Sequence, residues 1–469
     1  MYRLRGKKTS VALFICDIFY IISHRSNKIL LIIPNNLHMK TKVFFKSIST
    51  VALLCAVITT VTAQDGAYYL KGGFISKEVL DNYLSRSITQ AEFLNHNYYI
   101  DGAYPDEEDD ERMLLNIGAK FVGRAVYRWG RESAFNTEWL DKAKKRIEKM
   151  HSRDYDMIFQ ACVFEIATNE VEQIAIPDWV FAAFGKKPEE RNFIWDNIKN
   201  INGIQVNESG NRKSCVPDVS REETQMLFYY MSVRYMETGA EAIHFGQAYL
   251  MGMEDKNHNY AGWRKVVSMV KEAALTKARR GTVICDSHTQ NIEVDGRLIF
   301  DFASFPLRVK EVQEQPMKGI LELNFLDEQY GEAQGSMFGK TKGGITPSGW
   351  YCERSPYILE FDNFGISENP GDPAFDWWTW GYDEISWYYL QDIEYRNKFL
   401  HEAVDFIEKN DPVGFIQMPG SRVVVLPGGG TRYRCNTKSV NCTDCQSQEE
   451  TIKKLWSARA PKLPFRTGL

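Results

Sequence analysis

The chain has 469 residues, 44% of them hydrophobic and 25% charged, with a formal net charge of −4. That length holds two or three ordinary domains or one large α/β barrel, and the composition is globular, without a long low-complexity tract. Residues 1–63 carry nine of the Lys and Arg and one acid, so the remainder is acidic and has no electrostatic footprint for nucleic acid.

From Met39 the sequence reads as a secretory signal peptide. It has a basic start (Lys40, Lys42, Lys46), an apolar run over Val51–Ile58 and a small-residue site ending at Ala63. Residues 1–38 read as an upstream start wrongly included, and 39–63 as the signal. The expected mature protein is secreted or periplasmic, with outer-membrane association left open by Cys55 in a poor lipobox. It has no stable membrane span and is expected to be a monomer. Seven Cys remain beyond the signal. A pair is expected among Cys435, Cys442 and Cys445, while Cys162 and Cys285 sit in apolar runs and read as buried thiols.

Residues 64–118 read as an N-terminal cap and helix, and their acidic run DEEDDE (106–111) as a solvated turn. Eight strands are then expected, at 120–129, 156–165, 241–248, 281–288, 297–304, 319–325, 357–364 and 413–420. Their apolar runs are continuous, as in a parallel sheet buried on both faces. Helical patterns fall between several of them. One shows Leu140, Ala143, Ile147 and Met150 on one face, and another starts at a Ser220/Glu223 capping box and stops at Gly239. The pattern predicts a (β/α)8 TIM barrel over 119–420, with long βα loops at 166–219, 325–356 and 364–383 and a C-terminal tail over 421–469 packed on the barrel. The doubly wound alternative lacks a nucleotide fingerprint, since GSMFGKT (335–341) has Gln334 where a phosphate loop needs Gly.

Almost every predicted strand ends in polar residues. In order they are Arg128; Glu165; His244 and Gln247; Asp286 and His288; Asp301; Glu322 and Asn324; Glu360 and Asp362; and Gln417. Alternate residues of a strand share a face, so a ring of carboxylates is expected at the mouth of the barrel. Trp129, Trp350, Trp377, Trp378, Trp380 and Tyr382 lie in loops where aromatic platforms would sit. Paired carboxylates beside aromatic faces suit glycoside hydrolysis, which needs one protonated and one ionised carboxyl group.

The chain resembles the clan of (β/α)8 glycoside hydrolases that carry the acid/base after the fourth strand and the nucleophile at the end of the seventh. Asp286 in VICDSH and Glu360 in ILEFDNFG carry that resemblance, although the clan's fourth-strand acid is a Glu after Asn. The resemblance implies a glycosidase acting on a poly- or oligosaccharide, with Glu360 as nucleophile or base and Asp286 as acid. Glu322, Asp362 and Glu165 are reserve carboxylates. Arg128, Gln247, His288, Asn324, Trp378, Trp380 and Tyr382 are the expected substrate contacts. No cofactor or metal is called for. A non-catalytic glycan-binding barrel is one alternative. Another is a metal-dependent hydrolase using Asp286, His288, His244, Asp301 and Glu322.

Overall fold

The computed structural model describes residues 66–461, except 71, 96, 99–101, 104–106, 313–314, 316, 324–327, 330–331, 334–337, 363–383 and 427–428. All of them lie in the compact unit Ala63–Leu469. Its centre is a nearly closed ring of eight parallel strands: β1 (Ser87–Gln90), β2 (Phe121–Val126), β3 (Ile158–Cys162), β4 (Ala242–His244), β5 (Ile284–Asp286), β6 (Ala303–Pro306), β7 (Tyr357–Glu360) and β8 (Gly414–Leu426). The order is β6-β7-β8-β1-β2-β3-β4-β5. The seam between β5 and β6 is held by a parallel bridge from His288 to Ser304 and by Ser304 N donating to Ser287 O at 3.0 Å. The arrangement is that of a TIM barrel.

Ten helices are seen among the described residues. Two, Trp139–Arg153 and Glu222–Glu237, lie where the amphipathic patterns predicted them. Trp139–Arg153 buries Leu140, Ala143, Ile147 and Met150, while Glu222–Glu237 and Ala261–Lys277 pack against each other outside β4 and β5. Between β5 and β6 the described residues hold no helix. A small sheet of Glu293–Val294, Arg297–Leu298, Gly344–Ile345 and Tyr351–Cys352 stands there instead.

Three strand expectations change, the first in its bounds: of 297–304 only Ala303 and Ser304 belong to the barrel strand, which runs to Pro306, while Arg297–Leu298 pairs in the small sheet. The stretch 319–325 is not read as a barrel strand: among its described residues only Gly319–Ile320 form a strand, and it pairs antiparallel with Lys310–Glu311. The true first strand is SITQ at Ser87–Gln90, inside the stretch read as a cap. The total of eight survives because one missed strand replaces one false one. Every later strand up to the false one therefore moves up by one place. Asp286 lies on the fifth strand and Glu360 on the seventh.

The acidic run is not a solvated turn. It opens the helix Glu107–Ile117, where carboxylates suit the positive end of the helix, and Asp109, Asp110 and Glu111 are buried against Arg112, Asn436 and Arg146. Ser220 caps nothing; Glu223 instead accepts from Arg191 and from the Ile194 amide. β8 runs on past 420 into an antiparallel hairpin with β9 (Gly429–Arg434), and the helix Glu449–Ser457 packs on Glu107–Ile117. Cys442 and Cys445 form a disulfide, and Cys162, Cys285 and Cys435 are buried thiols.

The barrel interior is built in layers. The lowest is apolar: Phe121, Ile158, Ala242, Ile284, Phe302, Ile358 and Phe415 meet the helix Lys77–Leu84, which plugs the N-terminal end. Two residues further along each strand the same face carries Gly123, Gln160, His244, Asp286, Ser304, Glu360 and Gln417, joined by Thr89 of β1. No member of this second layer has an apolar side chain, and every one is buried. Barrel interiors are normally filled by branched apolar side chains, so a wholly polar layer marks a site.

Candidate active site

Glu360 is the hub of that layer. It is 1% exposed and both its oxygens are occupied. Oε2 accepts from Arg124 Nε at 2.9 Å and from Arg422 Nη1 at 2.7 Å. Oε1 accepts from Arg124 Nη2 and from His288 Nε2, the latter at 2.6 Å. Burial alone would push this carboxyl up. The two guanidinium groups and the histidine outweigh it and hold Glu360 well below the usual carboxylate range. Arg422 also binds Asp362, two residues further along β7.

Arg124 reaches Glu360 because of a local fault in β2. Its φ is +55°, in the left-handed region that non-glycine residues seldom occupy, and the register between β2 and β3 shifts there. Its backbone N–H leaves the ladder and donates to Gln160 Oε1 at 2.9 Å. Such backbone strain persists where surrounding contacts hold it, and it gathers at functional sites.

Asp286 sits beside this cluster with no exposed surface. Oδ1 accepts from Gln160 Nε2 at 2.7 Å, and Oδ2 accepts from His244 Nδ1 at 2.8 Å. Burial, opposed by Asp286, depresses His244 to about 4, so its ring is neutral at ordinary pH. The His244 and His288 rings meet edge to face at 4.9 Å, and Arg124 lies over the Phe164 ring.

The remaining expected site residues divide by place. Glu165 is half-buried on the loop after β3, where Oε2 accepts from the Gln247 backbone N–H at 3.2 Å, which brings it over the end of β4. Arg128 is on the rim, donating to Asn95 O at 3.0 Å and lying over Trp139. Trp129 is exposed beside it. Glu322 is on the outlying ribbon, paired with Lys310, and Asp301 lies behind β5 on Lys271. Of the five residues that the metal reading needs, Asp286, His244 and His288 lie together, while Glu322 and Asp301 are held elsewhere. Among the described residues, the one group of three potential ligands within reach of one another is Cys442, Asp444 and Cys445. Trp350 is at the far end of the barrel, bonded to Ile75 O. Asn324, Trp377, Trp378, Trp380 and Tyr382 lie outside the described residues.

Three residues of the site were not expected: Arg124, Gln160 and Arg422. Arg124 and Gln160 each break an apolar strand in mid-run, where an unpaired polar group is costly, and that was the signal available. Arg422 lay in the presumed tail.

No protein-family model and no curated protein matches this chain. What the structure bears out is the barrel, with Glu360 at the end of its seventh strand. The positional match for Asp286 does not hold, since it lies on the fifth strand. No described helix is long and apolar enough to cross a membrane.

Proposed function

We propose that this barrel is a secreted glycoside hydrolase acting on a poly- or oligosaccharide, with Glu360 as its ionised carboxylate. The observation that carries the reading is Glu360 itself: an acid at the end of the seventh strand, kept charged by Arg124, Arg422 and His288. A glycosidase needs such a group as nucleophile or base, and a second carboxyl group as proton donor. Asp286 is enclosed on both oxygens and Asp362 is bound to Arg422, so neither suits that second role. Glu165 does. It is half-buried and hangs over the end of β4, where a leaving-group oxygen would receive its proton. Trp129 offers an exposed aromatic face on the same rim for a sugar ring.

A second reading, a glycan-binding barrel without turnover, is favoured by one observation: the four hydrogen bonds on Glu360 occupy both of its oxygens. The test is release of reducing ends from a broad polysaccharide panel by the purified protein. The hydrolase reading expects release from at least one glycan, lost in both Glu165→Gln and Glu360→Gln. Binding without release from any glycan would overturn it in favour of the second.

A further inference from the structure

Asp286 is the most enclosed acid of the site, and its contacts form two paths that both end on Glu360. The first runs through an amide. Asp286 Oδ1 accepts a hydrogen bond from Gln160 Nε2 at 2.7 Å, and Gln160 Oε1 accepts one from the Arg124 backbone N–H at 2.9 Å. An amide can turn over, exchanging its oxygen for its nitrogen. A carboxylate oxygen offers only acceptor capacity, so the NH2 of Gln160 must face Asp286 and its oxygen must face Arg124. That oxygen is the partner of the Arg124 backbone N–H, which lies where the register of β2 and β3 shifts. The left-handed turn there aims the guanidinium at both oxygens of Glu360. The second path runs through the imidazoles. Asp286 Oδ2 holds His244 Nδ1, the His244 ring packs edge-on to His288 at 4.9 Å, and His288 Nε2 donates to Glu360.

We propose that Asp286 is a positioning residue for Glu360, acting through Gln160 on the backbone of Arg124 and through His244 on the ring of His288. The inference deepens the hydrolase reading and rests on it for its activity readout only. The charged and titratable groups around Glu360 are Arg124 from β2, Cys162 from β3, His288 beyond β5, and Arg422 from β8, with Asp362 behind Arg422. Asp286 touches none of the oxygens of Glu360, so its effect passes through the donors that do.

The test is the pH profile of kcat/KM for Gln160→Met, which removes both bonds of the amide at nearly constant volume, and for Asp286→Asn. The expected result for each is an acid limb displaced upward by one pH unit or more, with kcat falling at least tenfold and KM changing less than threefold. An acid limb within 0.3 unit of wild type in both variants would overturn the proposal, because a merely structural role lowers the amount of active protein without moving the limb. Asp286→Asn carries the test alone if Gln160→Met does not fold. If wild type cleaves no glycan, the function reading fails by itself, and the network is read instead from urea unfolding between pH 3 and 6. Gln160→Met should then flatten the loss of stability on acidification. A slope equal to wild type would contradict the proposal.

Discussion

At the residue scale, Glu360 and its two arginines are held by mutual need. Replacing Arg124 with Met would leave a buried carboxylate with one cation fewer, and breaking such a pair from one side costs about 3–5 kcal/mol. Urea unfolding at neutral pH should show that loss. The sign of the pH dependence follows from the depressed carboxyl. The stabilisation is present above the unfolded-state range near pH 4.5 and is lost as pH falls toward the folded value. Arg124→Met should therefore unfold with less acid dependence than wild type. Glu132 gives the opposite sign. Burial raises it to about 7 against its hydrogen bonds from Thr168, and it joins the loops after β2 and β3. The folded state binds its proton more tightly than the unfolded state, so this group costs stability as pH rises from about 4.5 to 7. Glu132→Gln should stabilise the protein at pH 8 by roughly 3 kcal/mol, an amount a thermal scan resolves, and should make little difference at pH 4. Of the site itself, Asp286, Glu360, His288 and Asp362 were legible because acids and imidazoles at the ends of apolar runs are conspicuous. Gln160 and Arg124 were not, because the tolerance of a strand interior for them depends on partners contributed by β5 and β7.

At the element scale, the polar layer requires Gly123. A Cβ on that residue would stand 2.2 Å from Gln417 Nε2, so the amide occupies the space a side chain would fill. Gly123→Ala should destabilise the barrel by about 1–3 kcal/mol through overpacking. Gln417→Ser should recover most of that loss in the double variant, and the coupling in a double-mutant cycle is the measure. The strands that were read correctly share a feature that β1 lacks. Ile158–Cys162 and Tyr357–Glu360 are rich in apolar and aromatic residues, whereas SITQ has one apolar residue in four. Its Thr89 turns inward to Gln417 and its Ile88 outward to the helices, a pattern that four residues cannot announce. GILELNF has the opposite character: it alternates like a strand, yet Ile320 and Leu323 are exposed on an outlying ribbon. Arg422 was missed for a related reason. The apolar run VVVL beyond it continues β8 into a hairpin, where a tail had been assumed.

At the scale of the whole molecule, the barrel brings together at one end residues spread from Thr89 to Arg422, and closes its other end with the helix Lys77–Leu84. Arg432 reaches from β9 to Glu92 just after β1, at 2.7 Å, tying the hairpin beyond β8 to the adjacent first strand. A purely stabilising core would have filled the second layer with apolar side chains, as the Phe, Ile and Ala of the first layer do. Eight polar or side-chain-free positions in that layer sacrifice packing, and the proposed return is chemistry at Glu360. The measurement that tests this most directly pairs glycan binding with turnover in wild type and Glu360→Gln, on the polysaccharide that wild type binds best. The account predicts similar affinity in both proteins and a fall in turnover of about a thousandfold or more in the variant. Turnover that survives in Glu360→Gln, or binding by wild type with no release of reducing ends, would contradict it.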